Sequence, residues 1–499
     1  MAADIGKVFK EYSLDVNGMA AQIKIYFKKD EFVPVYEIDF EGVPNATRLL
    51  LMSFRVNLVS IVPIDPSRID DREYLKELNI RYVQASELLI DKNLPGTDPE
   101  LKRFLISYII NMMLGLGELE VPIADSDLEE IAVNGSKSEI WVFHKKVGWA
   151  KTNIRPLSEN MIYDQAQQIG RKVGRELNNL SPLMDAELTD GSRVNATLFP
   201  ISQVGNTITI RKFEKNPWTM SALIKAKSLT TDVAALIWMC IENEISLLIS
   251  GGTASGKTSF LNAISIFFPA SRRIISIEET RELTLPKFYQ WVPMLTRQPN
   301  PEGKGAIDLY QLMINALRQR PDIVIVGEVR TKEDAETLFE AIHTGHSVYA
   351  TLHADNVNDT IVRMTNPPIN SPKVMMNALG CIVSLIRHRT KNIRRVLEFG
   401  EILDSGDANV LYKWDYLHDV IIQNKEMTKL SDTLMLYAGA TKEEINKIIE
   451  DHKIILEWMV NKNIVDVNDA GFVVSQYYKD KEKVIGMAKS NIDFDYKNF

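Results

Sequence analysis

Residues 251–259 have the types and spacing of a loop that binds phosphate. Two glycines, separated by four residues and followed by lysine and threonine, let backbone N–H groups turn toward phosphate oxygens, and a helix predicted from Thr258 adds its dipole there. Lys257 is predicted to reach the β- and γ-phosphates, and the Thr258 hydroxyl to ligate Mg²⁺. The sequence therefore predicts ATP and Mg²⁺ as ligands. The loop residues are Gly251, Gly252, Thr253, Ala254, Ser255, Gly256, Lys257, Thr258 and Ser259.

A second candidate functional segment follows the apolar run 322–326. Glu328 stands just beyond this run, where a P-loop enzyme keeps its metal-binding acid. Glutamate is longer than the usual aspartate, so contact with Mg²⁺ through a water molecule and polarisation of the attacking water are both open. We predict that Glu328 serves metal binding and hydrolysis.

Between the P-loop and the segment with Glu328, a group of acidic residues follows the apolar run 273–277. Hydrolysis needs a base or a water-orienting group near the γ-phosphate. Glu278 is the first acid beyond the run, and we predict that it has this role. Glu279 and Glu282 are interpreted as a solvated charge run, because adjacent side chains point in different directions.

Two histidines, His346 and His353, bracket the predicted strand 347–350. A histidine is most often structural, and a zinc site is not indicated because no cysteine beside them completes a ligand set. As hydrogen-bond donors toward phosphate or the acids, they would sense the state of the nucleotide. Both interpretations stay open at this point.

These residues need a scaffold, and the chain shows one from about residue 217. Helical patterns alternate there with short apolar runs, which are typical of parallel strands covered on both faces. The predicted fold class is α/β, with a mostly parallel sheet in the P-loop domain, α+β domains before it and a helical C-terminal tail. The predicted divisions are residues 1–95, 96–216, 217–410 and 411–499, with a hinge at Lys215-Asn216-Pro217-Trp218.

Composition narrows the class of protein. The net charge is −8 and no long basic run is present, which argues against a nucleic-acid machine. The two cysteines, Cys240 and Cys381, exclude a four-cysteine zinc site and are predicted to be small buried hydrophobes. Residues 1–12 lack the apolar region of a signal peptide, and polar residues interrupt the apolar stretch 104–123, which is interpreted as a core helix. We expect a cytoplasmic protein, with a peripheral place at a membrane open.

Four motifs, taken in order, resemble those of the type II/IV secretion ATPase superfamily. The resemblance covers about residues 125–400, and segment 127–135 is similar to the archaeal branch, which powers archaella and archaeal type IV pili. It implies a RecA-like ATPase domain and a homo-hexameric ring. The motifs are the P-loop, the Glu-rich segment 278–282, Gly327-Glu328 and the pair Thr344-Gly345-His346 and Thr351-Leu352-His353.

The resemblance also gives a meaning to two arginines. Arg193 and Arg211 lie in segments similar to the N-terminal arginine strands of the family, which implies that they reach γ-phosphate charge across a domain or subunit boundary. The implied partners are a homo-hexamer and a polytopic membrane platform protein of a pilus, archaellum or secretion machine. No nucleic acid is expected, and the implied place is the inner face of the cell membrane.

Three hypotheses about function follow. The leading one is a hexameric motor ATPase that hydrolyses ATP to drive assembly of a type IV pilus-like filament or pseudopilus-type secretion. The second is a RecA-fold ATPase that translocates nucleic acid, as in conjugation, which stimulation by DNA would reveal. The third is a slow nucleotide-gated adaptor, against which the presence of both Glu278 and Glu328 argues.

Overall fold

The computed structural model describes residues 5–498, except for residues 30, 41–44, 64, 66–71, 189, 215, 298, 300–302, 389 and 392. The described chain divides into two compact units, unit 1 up to Phe213 and unit 2 from Glu214. The boundary lies next to the predicted hinge, of which Lys215 is outside the described residues. The predicted division into four domains differs from these two units and stays a prediction.

Unit 1 is built on one mixed sheet with helices. Nine strands of the described residues pair in the order β1-β2-β3-β6-β5-β4-β9-β8-β7, and every pair except β3–β6 is antiparallel. The strands are β1 Ile5–Val16, β2 Met19–Lys28, β3 Val35–Asp39, β4 Leu128–Asn134, β5 Trp141–His144, β6 Gly148–Thr152, β7 Leu183–Glu187, β8 Arg193–Thr197 and β9 Thr207–Arg211; the helices are α1 Asn45–Ile61, α2 Arg72–Asn93, α3 Pro99–Leu114, α4 Glu120–Ala124 and α5 Glu159–Lys172.

This sheet crosses the predicted boundary at residue 95. Strand β3 from the first 95 residues pairs in parallel with β6, and residues from both sides of the boundary share one hydrophobic core. The link is reinforced by Tyr36, which is buried and donates a hydrogen bond to Asp125 Oδ2 at 2.6 Å. Strands from residues 1–95 and from residues 96–216 therefore complete one sheet.

The apolar stretch 104–123 is not one helix. Helix α3 begins with Pro99 after the Asp98 N-cap and ends at Leu114. A short 3₁₀ turn and α4 follow, bent by 105° from α3. Within the described residues no single helix is long and apolar enough to cross a membrane, although α3 together with the bent segment Gly117–Ala124 passes by length and composition.

Unit 2 contains the P-loop and a second nine-stranded sheet among the described residues. Its strands are β10 Leu247–Gly251, β11 Arg273–Glu278, β12 Gln290–Leu295, β13 Ile323–Val326, β14 Ser347–Leu352, β15 Cys381–His388, β16 Ile393–Ile402, β17 Ala408–Asp415 and β18 Val420–Gln423; its helices are α6 Met220–Lys225, α7 Thr231–Glu242, α8 Lys257–Ser265, α9 Leu309–Leu317, α10 Lys332–His343, α11 Val357–Thr365, α12 Lys429–Ala438, α13 Lys442–Asn461, α14 Val467–Lys479 and α15 Lys481–Lys489.

The sheet of unit 2 is mostly parallel, as predicted. Its order is β12-β11-β13-β14-β10-β15-β16-β17-β18, and the strands from β12 to β15 run parallel. The residues of β10, β13 and β14 are buried on both faces, and one hydrophobic cluster lies on each side of the sheet. Parallel strands end at the same edge, so the segments after β10, β11, β13 and β14 meet there. The predicted α/β fold class is confirmed.

The helical C-terminal region is present but begins later than predicted. Residues 408–423 form the antiparallel strands β17 and β18, and the helices start at Lys429. The buried Glu401 carboxylate anchors this start, because it accepts hydrogen bonds from Thr428 N at 2.9 Å and Leu430 N at 2.6 Å. The prediction that residues 411–428 are helical is wrong, because they extend the sheet edge.

Both cysteines lie in the core of unit 2. Cys240 and Cys381 are fully buried, with their Sγ atoms 4.0 Å apart and unbonded. This agrees with the prediction of two small buried hydrophobes.

Candidate nucleotide site

The P-loop connects β10 to α8 with backbone angles that few residues adopt. Gly251 has φ +156°, Ala254 +59° and Gly256 +98°. A Cβ at Gly251 would lie 2.7 Å from the backbone oxygen of Leu385 on the neighbouring strand β15. Because real Cβ atoms do not approach so closely, position 251 requires glycine. The loop thus opens directly before the N-terminus of α8, where backbone N–H groups and the helix dipole favour an anion.

Lys257 is the first residue of α8 and lies in the hollow of the loop. It is buried and donates hydrogen bonds to the carbonyl oxygens of Gly251 at 3.0 Å and Gly252 at 3.3 Å. Burial lowers the pKa of its ammonium group, while the charges of Glu328 and Glu282 act in the opposite direction. The cation therefore stands where the phosphates of a bound nucleotide are predicted to lie.

His353 joins Lys257 to Glu328. Lys257 Nζ lies 3.3 Å from His353 Nδ1, and His353 Nε2 lies 3.4 Å from Glu328 Oε1. Burial and the nearby lysine lower the pKa of His353, so the neutral ring is favoured. Lys257 Nζ also lies 3.4 Å from Nε2, so the ammonium group lies beside both ring nitrogens of His353. His353 thus lies between the P-loop lysine and the predicted metal-binding acid.

Arg330 holds the other oxygen of the same carboxylate. Its Nη2 lies 3.0 Å from Glu328 Oε2, and its Nη1 donates to Glu279 Oε1. Burial raises the pKa of Glu328, but the hydrogen bond from Arg330 and the charges of Arg330, His353 and Lys257 outweigh burial and hold that pKa below its usual range. Glu328 is therefore ionised at neutral pH.

Glu278 ends β11 and is buried, with 3% of its surface exposed. Its Oε1 accepts hydrogen bonds from Glu282 N at 2.9 Å and Leu283 N at 3.1 Å. Its Oε2 is buried without a hydrogen-bond partner among the described residues. Burial raises the pKa of Glu278 to about 7. A carboxyl group with that pKa is well matched to proton transfer at neutral pH.

The raised pKa of Glu278 predicts a pH-dependent stability. The unfolded carboxyl loses its proton near pH 4.5 and the folded one near pH 7. Between these values the folded state binds more protons, so the free energy of unfolding falls as pH rises. Glu278→Gln should therefore be destabilised less, relative to the wild type, at pH 8 than at pH 5, by up to a few kcal/mol.

Thermal unfolding of both proteins at the two pH values checks this. Glu336→Gln on the exposed face of α10 is the control, because Glu336 pairs with Lys332 at the surface. A difference between wild type and Glu278→Gln that is the same at both pH values would contradict the raised pKa.

The structure does not bring every predicted residue to this edge. His346 precedes β14, at the opposite end of the strand from His353 and about 20 Å away at ~3.3 Å per residue. Its Nδ1 lies 3.1 Å from Ala341 O, at the C-terminus of α10. Its predicted nucleotide contact therefore lacks support within unit 2. Arg193 and Arg211 lie in unit 1, on the neighbouring strands β8 and β9.

The sequence analysis missed the contributions of four residues at this edge. Glu279, interpreted as solvated charge, is held by Arg330, and Glu282 contributes its charge at Lys257. The spacing of Arg330 two residues after Glu328 was a usable signal, since alternate residues share a side of an extended chain. Arg394 donates from Nε to Ala254 O in the P-loop at 3.1 Å, and no local pattern indicates this contact.

Arg330→Ala should shift the acidic limb of the ATPase pH profile upward. Without the guanidinium, burial raises the pKa of Glu328 against less opposition, so the ionised form is lost at higher pH. The ratio of variant to wild-type turnover should therefore be lower at pH 6 than at pH 8. Dividing the turnover of the variant by that of the wild type at the same pH cancels the effect of Glu278 titration, which both proteins share.

Arg272→Ala is the matched control for this measurement. Arg272 also pairs with two acids, Glu244 and Asp322, but at the amino end of β11. Its turnover ratio should not change with pH. An equal ratio at pH 6 and pH 8 for Arg330→Ala would refute the assigned effect on Glu328.

The family comparison covers both units. Residues 126–461 match the family described as Type II/IV secretion system protein. The chain belongs to the Type II/IV secretion system protein family. The matched range includes the P-loop, the acids Glu278 and Glu328, and both arginines of β8 and β9. The predicted family is confirmed.

The similar proteins include MJ0900 and MJ0781 from the archaeon Methanocaldococcus jannaschii, both described as uncharacterized. MJ0900 is 34% identical over 402 residues, 78% of this chain and 72% of that protein. MJ0781 is 35% identical over 418 residues, 80% of this chain and 53% of that protein, so this chain spans about half its length. The Legionella pneumophila ATPase DotB matches 83% of this chain and 98% of its own with 17% identity and a TM-score of 0.42, which carries no argument about function.

The predicted Mg²⁺ fits the oxygen donors at this edge. Thr258 follows Lys257 in the first turn of α8, and Glu328 offers an ionised carboxylate. The described residues contain no group of three or more His, Cys, Asp or Glu side chains that could hold a metal. Mg²⁺ commonly takes one or two protein oxygens and completes its shell with water and substrate phosphates. Thr258 and Glu328 are the residues that would hold it.

Proposed function

We propose that this chain hydrolyses ATP with Mg²⁺ and uses the energy to drive a type IV pilus-like or secretion machine of the archaeal type. The observation that carries the catalytic part is the connected set Lys257–His353–Glu328 at the carboxyl edge of β10, β13 and β14. It combines a phosphate-binding cation with an ionised acid, which are the two groups that phosphoryl transfer to water requires.

Glu278 supplies the third group of the proposed reaction. It lies on β11 beside Gly327, where a Cβ would come within 3.6 Å of Glu278 Cγ. Its pKa near 7 suits a group that takes a proton from the attacking water. In this proposal Lys257 binds the β- and γ-phosphates, Glu328 holds the metal side, and Glu278 accepts the proton.

Arg193 and Arg211 are proposed to act from unit 1 on the γ-phosphate of a neighbouring subunit or domain. They stand directly opposite each other on β8 and β9, flanked by Glu187 and Glu130 on the outer strands. The two guanidinium groups place two positive charges side by side, and each can bind phosphate oxygens bidentately. If Arg193 and Arg211 bind the phosphate only in a closed state, that binding shifts the equilibrium of the domain movement toward the closed state.

Single and double alanine variants of these arginines test this step. Each single variant should lower turnover about tenfold or more with nucleotide affinity little changed, because the arginines are proposed to act mainly in the transition state. Arg103→Ala, on the exposed face of α3, is the control and should behave as the wild type. Normal turnover in the double variant would exclude both arginines from catalysis.

The proposed partners are further copies of this chain in a homo-hexamer and a polytopic membrane platform protein at the inner face of the cell membrane. Membership of the Type II/IV secretion system protein family supports this, as do the two archaeal relatives. Phosphate release by the purified full chain, with its mass measured in the presence of ATP, is the decisive experiment. We expect steady hydrolysis, a sixfold mass and no effect of DNA. Strong stimulation by DNA with steep salt dependence would instead favour a nucleic-acid translocating ATPase.

A further inference from the structure

The P-loop strand β10 has two neighbours with different chemistry at their carboxyl ends. On the side of β14, β13 and β11 lie His353, Glu328 and Glu278. On the other side lies β15, which leads through a turn into β16. The predicted catalytic acids therefore lie on one side of β10, and the β15–β16 hairpin lies on the other.

Arg394 is the charged residue of β16 that touches the loop. Its Nε donates to Ala254 O at 3.1 Å, and its Cδ lies 3.4 Å from the position of a Cβ at Gly256. The side chain thus lies across residues 254–256, immediately before the first turn of α8. It comes from a strand 140 positions later in the chain, so it fixes the loop to the sheet beside it.

Ala254 is the position of the loop that most needs such a contact. It is exposed and adopts φ +59°, a left-handed conformation that costs a non-glycine residue on the order of 1 kcal/mol. A carbonyl held from outside by a guanidinium group cannot rotate into the hollow, where its oxygen would repel phosphate. With that carbonyl turned away, the neighbouring N–H groups stay directed toward the anion.

We propose that Arg394 is a positioning residue for nucleotide binding, which holds the P-loop in its phosphate-binding conformation through Ala254 O. This rests on the proposed function, because it concerns the same site. Arg394 acts on the loop and not on the reacting atoms, so it governs affinity and leaves the rate of the bound complex largely unchanged. Because Arg394 acts through the loop, its removal should lower the affinity of every polyphosphate that binds in the loop to the same extent.

Binding of a fluorescent ADP analogue, with inorganic tripolyphosphate as competitor, tests the proposal. Arg394→Ala should weaken both ligands about tenfold, whereas turnover at saturating ATP stays within about twofold. Arg394→Lys should recover part of the affinity, because an ammonium group can still donate to Ala254 O. The unfolding temperature without ligand should match that of the wild type, which separates a loop effect from general destabilisation.

Lys391→Ala is the matched control, because it removes a positive charge from the same β15–β16 hairpin without the contact to Ala254. It should bind both ligands as the wild type does. Unchanged affinity in Arg394→Ala, or weaker ADP binding with normal tripolyphosphate binding, would overturn the proposal. A wild-type chain that binds ADP but does not hydrolyse ATP would contradict the proposed function and leave this binding test valid.

Discussion

Lys257→Ala should lower ATP turnover by on the order of a hundredfold to a thousandfold, the loss expected when one preorganised charge is removed from a transition state. Lys257 is the buried cation in the hollow of the P-loop, and its ammonium group contacts two loop carbonyls and His353. Alanine removes the charge that neutralises the phosphates and also the donor that orients His353. Phosphate release at saturating ATP is the measurement.

The variant also separates two roles of the lysine. Nucleotide affinity should fall about tenfold, less than turnover, because the backbone N–H groups and the dipole of α8 remain. Lys332→Ala is the control: this lysine also begins a helix, α10, but it pairs with a surface glutamate, Glu336. Robust hydrolysis by Lys257→Ala would refute the assignment of the whole site.

Much of the candidate nucleotide site could be predicted from the sequence, because its residues stand close in sequence to the ends of apolar strands. The loop 251–259, Glu278 and Glu328 each come directly after a buried strand, and parallel strands must end together. His346 fails this test, because it precedes its strand and so lies at the other edge. The sequence shows that His346 and His353 flank one predicted strand, but it does not show which of them faces the acids.

Contacts between distant segments could not be predicted in this way. Arg394 reaches Ala254 only because β15 and β16 are added beside β10, and nothing in either local sequence encodes that pairing. The strands β17 and β18 were missed for a related reason, since a short amphipathic strand at a sheet edge resembles other charged segments. The common sheet of residues 1–213 likewise depends on the pairing of β3 with β6.

Glu328→Gln should retain nucleotide but stall before or during hydrolysis. The Glu328 carboxylate accepts a hydrogen bond from Arg330 at Oε2 and has His353 Nε2 at 3.4 Å from Oε1, whereas an amide offers only one oxygen. Glutamine also lacks the negative charge that a metal ion or a developing hydronium needs. Turnover should therefore fall by roughly a hundredfold or more, with affinity for ATP within about threefold. Phosphate release and equilibrium binding measured on one preparation check both parts.

Retained binding is what distinguishes this variant from Lys257→Ala. Glu328 lies outside the hollow of the loop, so the loop backbone and Lys257, which are proposed to bind the phosphates, are unchanged, and the contact of Lys257 with His353 remains. Glu336→Gln makes the same chemical change on the exposed face of α10 and should hydrolyse ATP normally. If Glu328→Gln lost binding and turnover together, the carboxylate would be part of the phosphate grip. If it turned over normally, the metal-binding acid would have to be sought elsewhere at this edge, where Glu278 is a buried carboxyl group.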